Sequence, residues 1–464
     1  MFRKQRLYFL ILLLVFSTIS SFAFSGRVTK ETTIGQLHQN ILPQSLKFSP
    51  NNKHFAYIVS NNGHKQVIID GKPQKIYEDI VDNQIYFSPN SRRIAYIAKR
   101  DQQFFLVINN QEMKAYQRIK SDSFVFSNDG RHWAYIAQVE GDNQSKWQVI
   151  HDEVGGKAYD DISTKTLQFS PNGRNLVYAA QSGGEWFLIN NGVQSTPYDG
   201  IRNVIISPNG RFVAFVGRRG GQYVININGL ETVPYDMIDA SSLVFSENGM
   251  QYAFVGQVGN KQYVVINGNR YSPYDQIGRG GAVFSPSGGR FAYSALAERR
   301  WRIVIDNKEG KKYERIVDGS LLFSHDGKQV AYVAQEGKQF FVVVNGVEHQ
   351  KYDAIGDLIF NPGNGKLAYS ALKGKKWFVV EDGIEGRIYD RIEKGSLNYH
   401  HYGEQLAYIA IRNNRRFVVL NGSEGRSYDV IVTGSDGKLS SEANAFWYFA
   451  IKDSILYYVE ERIL

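Results

Sequence analysis

Several places in the sequence put two cations directly before an aromatic residue, for example Arg299-Arg300-Trp301, Lys375-Lys376-Trp377 and Arg415-Arg416-Phe417. Paired cations attract anions, and a neighbouring aromatic ring can anchor a partner surface. The pattern predicts a surface that binds an anion or an acidic partner. The alternative is that the cations only keep loops soluble while the rings lie in the core. The six cations, here called the cationic rim, are Arg299, Arg300, Lys375, Lys376, Arg415 and Arg416.

The common linear motifs of catalysis and metal binding are absent from the sequence. It contains no Gly-x-Ser-x-Gly elbow, no His-Glu-x-x-His, no phosphate-binding loop and no Asp-rich calcium loop. The nine histidines are scattered, and only His400 and His401 are adjacent. We therefore predict no catalytic residues, no metal ligands and no cofactor. An enzyme that gathers its catalytic residues from distant segments would escape this test.

The cation pairs recur because the chain repeats one phrase. One copy runs from Leu321 to Ile355, and its Phe-Ser corner begins at Phe323. The steps between corners range from 37 to 43 residues, and such a period predicts a repeat architecture. The corners begin at Phe48, Phe87, Phe126, Phe169, Ile206, Phe245, Phe284, Phe323, Phe360 and Tyr399, with a degenerate copy at Leu439.

Each copy contains four short apolar runs that are separated by turn residues. In the copy above they are Leu321 to Phe323, Val330 to Ala334, Phe340 to Val344 and Tyr352 to Ile355. Their Val, Ile, Phe and Tyr residues favour strands, and Asn345-Gly346 is typical of a hairpin turn. Four strands in about 40 residues predict the blade of an all-β propeller.

Ten full repeats and a partial eleventh are expected. Leu439 to Glu460 supplies three strands, and we interpret His38 to Ile41 as an amino-terminal strand that completes this last blade. No linker divides the repeats, so residues 26–464 form one repeat region without an internal boundary. The sequence leaves open whether this region forms one large ring or two.

Two of the corners carry a resemblance to a known family. Phe169 to Ala180 (FSPNGRNLVYAA) and Phe87 to Ala98 (FSPNSRRIAYIA) resemble the WD-type repeat of periplasmic TolB-like propellers. That repeat has a Ser-Pro-Asp-Gly corner followed by an Ala-Tyr or Ala-Phe strand. The resemblance covers the repeats only, not the amino-terminal domain of TolB, and the Tyr-Asp-x-Ile run, as in Tyr198 to Ile201, departs from it. It implies a propeller fold.

Residues 1–25 have the pattern of a signal peptide. A basic start precedes the apolar run from Leu7 to Phe16, and small residues suited to cleavage follow. The alternative is an uncleaved membrane anchor. In either case the repeats would be periplasmic or secreted, and the absence of cysteine is compatible with export. The basic and small residues are Arg3, Lys4, Arg6, Ser21, Ala23 and Ser25.

Features present in most copies are predicted to be structural. The Tyr of Tyr-Asp-x-Ile occurs in ten copies, so we expect a buried ring whose hydroxyl has a partner. The acidic residue that follows should accept hydrogen bonds from the backbone of a nearby turn. The loops before the first strands, such as Lys120 to Ser123 and Asp318 to Ser320, carry small polar residues that should border the channel mouth.

Together these patterns predict an exported, non-catalytic propeller scaffold that binds an envelope protein or an anionic glycan or lipid headgroup. The net charge of +9 favours acidic partners, and export removes most nucleic-acid targets. The membrane would be a partner only if the leader remains uncleaved. The alternative is a propeller that binds or cleaves glycans at its channel mouth.

The leader provides the first testable prediction. Amino-terminal sequencing of the mature protein should show a chain that begins at Phe24 or Gly26, because cleavage is expected after Ala23 or Ser25. A chain that still begins at Met1 and fractionates with membranes would contradict cleavage and support the anchor.

Overall fold

Each repeat forms one antiparallel sheet because its apolar runs are joined by turns that reverse the chain. Asn345 and Gly346, for example, both have positive φ (48° and 85°), which suits a two-residue hairpin between twisted strands. The computed structural model describes residues 20–24, 26–141, 144–400, 405–433, 439–442 and 445–463. There are eleven such sheets, here called blades 1 to 11 in the order of their inner strands.

The two central strands of each blade are the most uniform in length: the second strands have seven or eight residues, and the third strands have six or nine. The second strands are Phe55–Asn61, Ile94–Arg100, Trp133–Val139, Leu176–Ser182, Val213–Arg219, Tyr252–Val258, Phe291–Ala297, Val330–Glu336, Leu367–Lys373, Leu406–Arg412 and Ala445–Lys452. The third strands are His64–Ile69, Gln103–Ile108, Lys146–His151, Glu185–Asn190, Gln222–Ile227, Lys261–Ile266, Arg300–Ile305, Gln339–Val344, Lys376–Glu381, Arg415–Leu420 and Ile455–Ile463.

The inner strands vary in length: most are short or split into two parts, but those of blades 5, 6 and 9 have seven, nine and seven residues. They are Lys47–Phe48; Asp79–Ile80 and Tyr86–Phe87; Val125–Phe126; Asp161–Ile162 and Gln168–Phe169; Gly200–Ile206; Met237–Phe245; Gln276–Ile277 and Val283–Phe284; Arg315–Ile316 and Leu322–Phe323; Ala354–Phe360; Arg391–Ile392 and Asn398–Tyr399; and Val430–Val432 and Ser440–Glu442. Short 3-10 turns occupy Pro43–Ser45, Val81–Asn83 and Thr164–Thr166.

The outer strands of blades 1 to 10 vary between two and six residues. They are Lys72–Tyr77, Gln111–Tyr116, Val154–Tyr159, Val193–Gln194, Leu230–Glu231, Asn269–Arg270, Lys308–Glu309, Val347–Tyr352, Ile384–Glu385 and Ser423–Tyr428. In blade 11 the third strand pairs instead with Arg27–Gln36, and Ser20–Phe24 pairs with that strand in turn.

The core lies between the blades. Ala56 and Ile58 of blade 1 pack with Tyr96 and Ala98 of blade 2, and the buried Tyr77 sits between them. Similar clusters join every neighbouring pair from blade 1 to blade 11. Between blades 11 and 1, the rings of Phe449 and Phe48 stack with centroids 3.8 Å apart. The eleven blades therefore form one ring, and the two-ring alternative is wrong.

The run predicted as a fourth strand belongs to two different blades. Tyr352 ends the outer strand Val347–Tyr352 of blade 8, whereas Ile355 lies in the inner strand Ala354–Phe360 of blade 9. The predicted strand from Tyr352 to Ile355 is therefore wrong. Its Tyr and Ile recur because they flank the crossover between blades, where Tyr352 is buried and Ile355 packs against the cluster between blades 8 and 9.

The interpretation of His38 to Ile41 as a strand of the last blade is also wrong, because a crossover was again taken for a strand. Ile41 forms a backbone bridge with Val59 of blade 1, as Ile119 does with Ala137 of blade 3. This segment is therefore the crossover into blade 1. Residues 1–19 and 25 of the predicted leader lie outside the described residues. No described helix combines the length and apolar character that a membrane span requires.

A buried ion pair connects the Arg27–Gln36 strand to blade 11. The Arg27 guanidinium donates to the Glu461 carboxylate at 2.9 Å, and their side chains are 4% and 0% exposed. The hydroxyls of Thr29 and Tyr448 also donate to Glu461, at 2.7 and 2.8 Å. Arg27 further donates to the carbonyl oxygen of Val418 in blade 10 at 3.1 Å. The carboxylate is thus fully hydrogen-bonded, as a buried charge requires.

We expect Arg27→Ala to lower the free energy of unfolding by about 3–5 kcal/mol, because it leaves Glu461 buried without its counter-ion. Arg462→Ala is the matched control, since Arg462 lies in the same blade but pairs with Glu460 at the surface, and should cost less than about 1 kcal/mol. Urea unfolding followed by circular dichroism measures both. Equal losses in the two variants would contradict the assigned role of Arg27.

Candidate anion-binding surface

Strand order places two kinds of loop at opposite ends of the blades. The turns between second and third strands lie at one end with the crossovers between blades, and we call this end the turn face. The Phe-Ser corners and the turns between third and outer strands lie at the other end, here the corner face. All six residues of the cationic rim lie at the turn face.

The repeated tyrosine is buried at the turn-face end of each outer strand, as predicted. Tyr77 is 1% exposed, and its hydroxyl donates to Glu112 in the outer strand of the next blade at 2.9 Å. Burial raises the pKa of Tyr77, so the hydroxyl remains a donor. The same bond joins Tyr198 to Glu231 and Tyr274 to Glu309, at 2.5 and 2.8 Å. These glutamates, which sequence reasoning missed, stand in the outer strands shortly after the hairpin turns.

The acidic residue after the tyrosine accepts a hydrogen bond from the backbone of a turn, as predicted, and this turn belongs to the next blade. One carboxylate oxygen of Asp390 accepts the backbone N–H of Asn413 in the next blade at 2.8 Å. Its other oxygen accepts from the Lys376 ammonium at 2.5 Å, which lowers the pKa of Asp390. We call this arrangement the aspartate bridge. Backbone N–H groups of the next blade are bound in the same way by Glu78, Asp160, Asp199, Asp236, Glu314, Asp353 and Asp429.

Four of the six rim cations have carboxylate partners. Lys376 pairs with Asp390, and Arg415 pairs with Asp429, which lies 14 residues further along the chain. Arg300 pairs with Glu336 at 2.7 Å and Arg416 with Glu393 at 3.3 Å. These four side chains hold the ring together at the turn face, and their charge is largely neutralised.

The aromatic residues beside the rim pack into the core. Trp301 and Trp377 are half-buried against the clusters between blades 7 and 8 and between blades 9 and 10. They provide rigid support for the turns rather than free rings at the surface.

The remaining rim residues, Arg299 and Lys375, are exposed, and their side chains have no polar partner among the described residues. Three further cations of blades 8 and 10 at the same face are also exposed and also lack a polar partner among the described residues. Sequence reasoning missed these three because each stands alone rather than in a pair before an aromatic residue. The five unpaired cations, here called the cationic arc, are Arg299, Arg315, Lys338, Lys375 and Arg391.

Small polar residues near the channel mouth form hydrogen bonds with the backbone of their own blade. The Ser123 hydroxyl donates to the carbonyl oxygen of Lys120 at 2.7 Å and accepts the N–H of Ile136 at 3.1 Å. This arrangement fixes the bend in the inner strand of blade 3. The equivalent hydroxyls, which make the same two bonds, belong to Ser45, Thr166, Ser242, Ser320 and Ser396.

Eleven four-stranded blades in one ring define a β-propeller, a class that supports both binding and catalysis. No family model and no curated protein matches the chain. The chain is similar to several solved structures. TolB from Acinetobacter baumannii is 16% identical with a TM-score of 0.25, over 56% of this chain and 65% of that chain.

Two further structures illustrate the range of that fold. The Cps50 (Swd1) β-propeller domain of Myceliophteria thermophila is 15% identical with a TM-score of 0.28, over 56% of this chain and 95% of that chain. An oligogalacturonate lyase in complex with manganese is 10% identical with a TM-score of 0.30, over 62% and 95%. At these scores the likenesses carry no functional argument.

The bond network around Glu112 predicts a pH effect on stability. Hydrogen bonds from Arg100, at 2.9 and 3.0 Å, lower the pKa of Glu112 from 4.5 to about 2. Ionised Glu112 therefore stabilises the fold above pH 4.5, and this contribution is lost as the pH falls toward 2. Glu112→Gln should destabilise the protein at pH 7, and the difference from wild type should narrow at pH 3.

Urea unfolding at pH 7, 5 and 3 measures this effect on Glu112. Glu185→Gln is the control, because Glu185 is an exposed glutamate at the start of the third strand of blade 4 and has no ion pair among the described residues, and it should show no such trend. If the free energy of unfolding of wild type exceeds that of Glu112→Gln by the same amount at all three pH values, the ionised pair of Arg100 and Glu112 is not its cause.

Proposed function

We propose that this chain is an exported, non-catalytic scaffold whose turn face binds an acidic envelope protein or an anionic envelope component. The observation that carries the proposal is the cationic arc, in which five exposed cations without polar partners occupy blades 7 to 10. A rigid ring that presents unpaired charges of one sign attracts and orients a partner of the opposite sign.

The charges around the arc support this proposal. The carboxylates of Glu336, Asp390 and Glu393 lie in the same blades, but each is already paired with a cation, namely Arg300, Lys376 and Arg416. The exposed carboxylates of Glu314, Asp318 and Asp353 have no cation partner among the described residues and offset part of the charge of the arc, but the five cations outnumber them. The side chains of the arc extend from turns and crossovers whose backbone is held by aspartate bridges, so binding does not require the backbone to become ordered.

The contacts of the Arg27–Gln36 strand support a closed scaffold. Glu31 accepts a hydrogen bond from the hydroxyl of Tyr428. Glu112 accepts the equivalent bond from Tyr77 between blades 1 and 2. We infer that this strand completes blade 11 as its fourth strand. A ring closed in this way exposes no long sheet edge at its seam and keeps blades 7 to 10 in fixed relative positions.

The predicted leader supports placement outside the cytoplasm, and the Ser-Pro-Asn-Gly corners support a relationship to TolB-type propellers. In such a compartment, acidic proteins, anionic glycans and lipid headgroups are the available anions. The proposed mechanism is recognition by a shaped, cationic face, without a chemical step.

The proposal predicts binding that depends on salt and on the arc. A variant with Arg299→Glu, Lys338→Glu and Lys375→Glu is compared with wild type in affinity capture from envelope extract, at 50 and 300 mM salt. We expect the principal captured component to be bound by wild type at low salt, reduced at high salt and lost from the arc variant.

A second triple variant controls for the change in net charge. Lys53→Glu, Arg174→Glu and Arg211→Glu reverse three exposed, unpaired cations of the corner face, and this variant should capture the same component as wild type. Equal capture by all three proteins, or capture insensitive to salt, would rule out the arc as the binding surface.

A further inference from the structure

Two histidines and an aspartate meet at the corner-face end of blade 3. His132 precedes the second strand, His151 ends the third strand, and Asp152 follows it. One ligand atom from each residue lies within 4.8 Å of the other two. The Nδ1 of His132 is 2.5 Å from the Oδ2 of Asp152, and the Nε2 of His151 is 3.6 Å from that oxygen. Sequence reasoning missed this cluster because the two histidines stand 19 positions apart without a metal-binding motif.

The Nε2 atom of His151 is buried and has no hydrogen-bond partner within the described part of the chain. Its distance from Asp152 is too long for a hydrogen bond. A buried polar atom without a partner costs free energy, so this imidazole nitrogen beside a carboxylate is available to a ligand that the protein itself does not supply.

Comparison with blade 1 isolates the feature that is special to blade 3. Asp70 accepts the N–H of Phe55 there, and its other oxygen lies 2.8 Å from the Nδ1 of His54. Asp152 makes the same pair of contacts, with Trp133 and His132. Blade 1, however, has Ile69 at the position of His151. The turn therefore needs the aspartate and tolerates the first histidine, but it does not require the second.

We propose that His132, His151 and Asp152 form a binding site for a divalent transition-metal ion of the zinc class. Two imidazole nitrogens and one carboxylate oxygen are a ligand set that Zn²⁺ accepts, and small side-chain movements bring the three atoms to bonding distance. The N–H of Trp133, which donates to Asp152 Oδ1 at 3.0 Å, orients the carboxylate from behind.

The surroundings of the site leave room for a further ligand. The side chains of His132, His151 and Asp152 are 45%, 41% and 32% exposed, so an ion can enter from solvent. His151 also borders a cavity of about 290 Å³ between blades 3 and 4, which Lys157 and Tyr178 help to line. Three protein ligands leave the fourth tetrahedral position of Zn²⁺ open to water or to a donor atom of a partner.

Titration calorimetry of the full chain with Zn²⁺, without a histidine tag, tests the site. Wild type should bind one equivalent, and His132→Gln or His151→Gln should weaken binding by at least about tenfold. His54→Gln is the matched control, because His54 makes the same aspartate contact in blade 1, and it should bind as wild type does. No Zn²⁺ binding by wild type, or equal affinity in all four proteins, overturns the proposal.

A measurement on wild type alone guards against variants that fail to fold. X-ray absorption at the zinc edge of the loaded protein should show two imidazole ligands together with oxygen ligands. A spectrum with oxygen ligands only, or with a single imidazole, overturns the assignment regardless of how the variants behave.

Discussion

The structure depends on the aspartate bridge, which follows most of the buried tyrosines. Asp390 binds a cation of its own blade through one oxygen and the backbone of the next blade through the other. Hydrogen bonds to charged groups are stronger than those between neutral groups, but each contributes less at an exposed site. Because the arrangement recurs at most crossovers, many modest contacts fix the angle between successive blades. The tyrosine fills the space between the same two sheets, so packing and polar bonding act at one place.

The period of the Phe-Ser corner was sufficient to predict the fold class and the number of blades. Each corner follows local rules, since Ser88 bonds to Asn90 and to the N–H of Arg93 within six residues. The boundaries between blades could not be predicted in this way. A run such as Tyr352 to Ile355 looks like one strand, because residues buried by two different blades have the same apolar character as residues buried by one.

The candidate surface was predictable only in part, because the fate of a charge depends on contacts across the ring. Arg299 and Lys375 have no polar partner among the described residues, whereas Arg300 pairs with Glu336, 36 residues further along the chain in the next blade. Nothing local to Arg300 indicates this pairing. The hydroxyl of Ser123 also looked available for a ligand, yet its two backbone bonds are visible only once the inner strand is placed beside Ile136.

Arg27 and Glu461 are separated by 434 residues, so the contact that joins the two ends of the ring is among the last that the growing chain can make. At about 5–20 residues per second, synthesis delays it by roughly 20 to 90 s. During this time, the first blade has no neighbour on one side, and its apolar face is open to other chains. A protein built in this way benefits from a chaperone that covers the early blades, and truncation near its end exposes both sides of the seam at once.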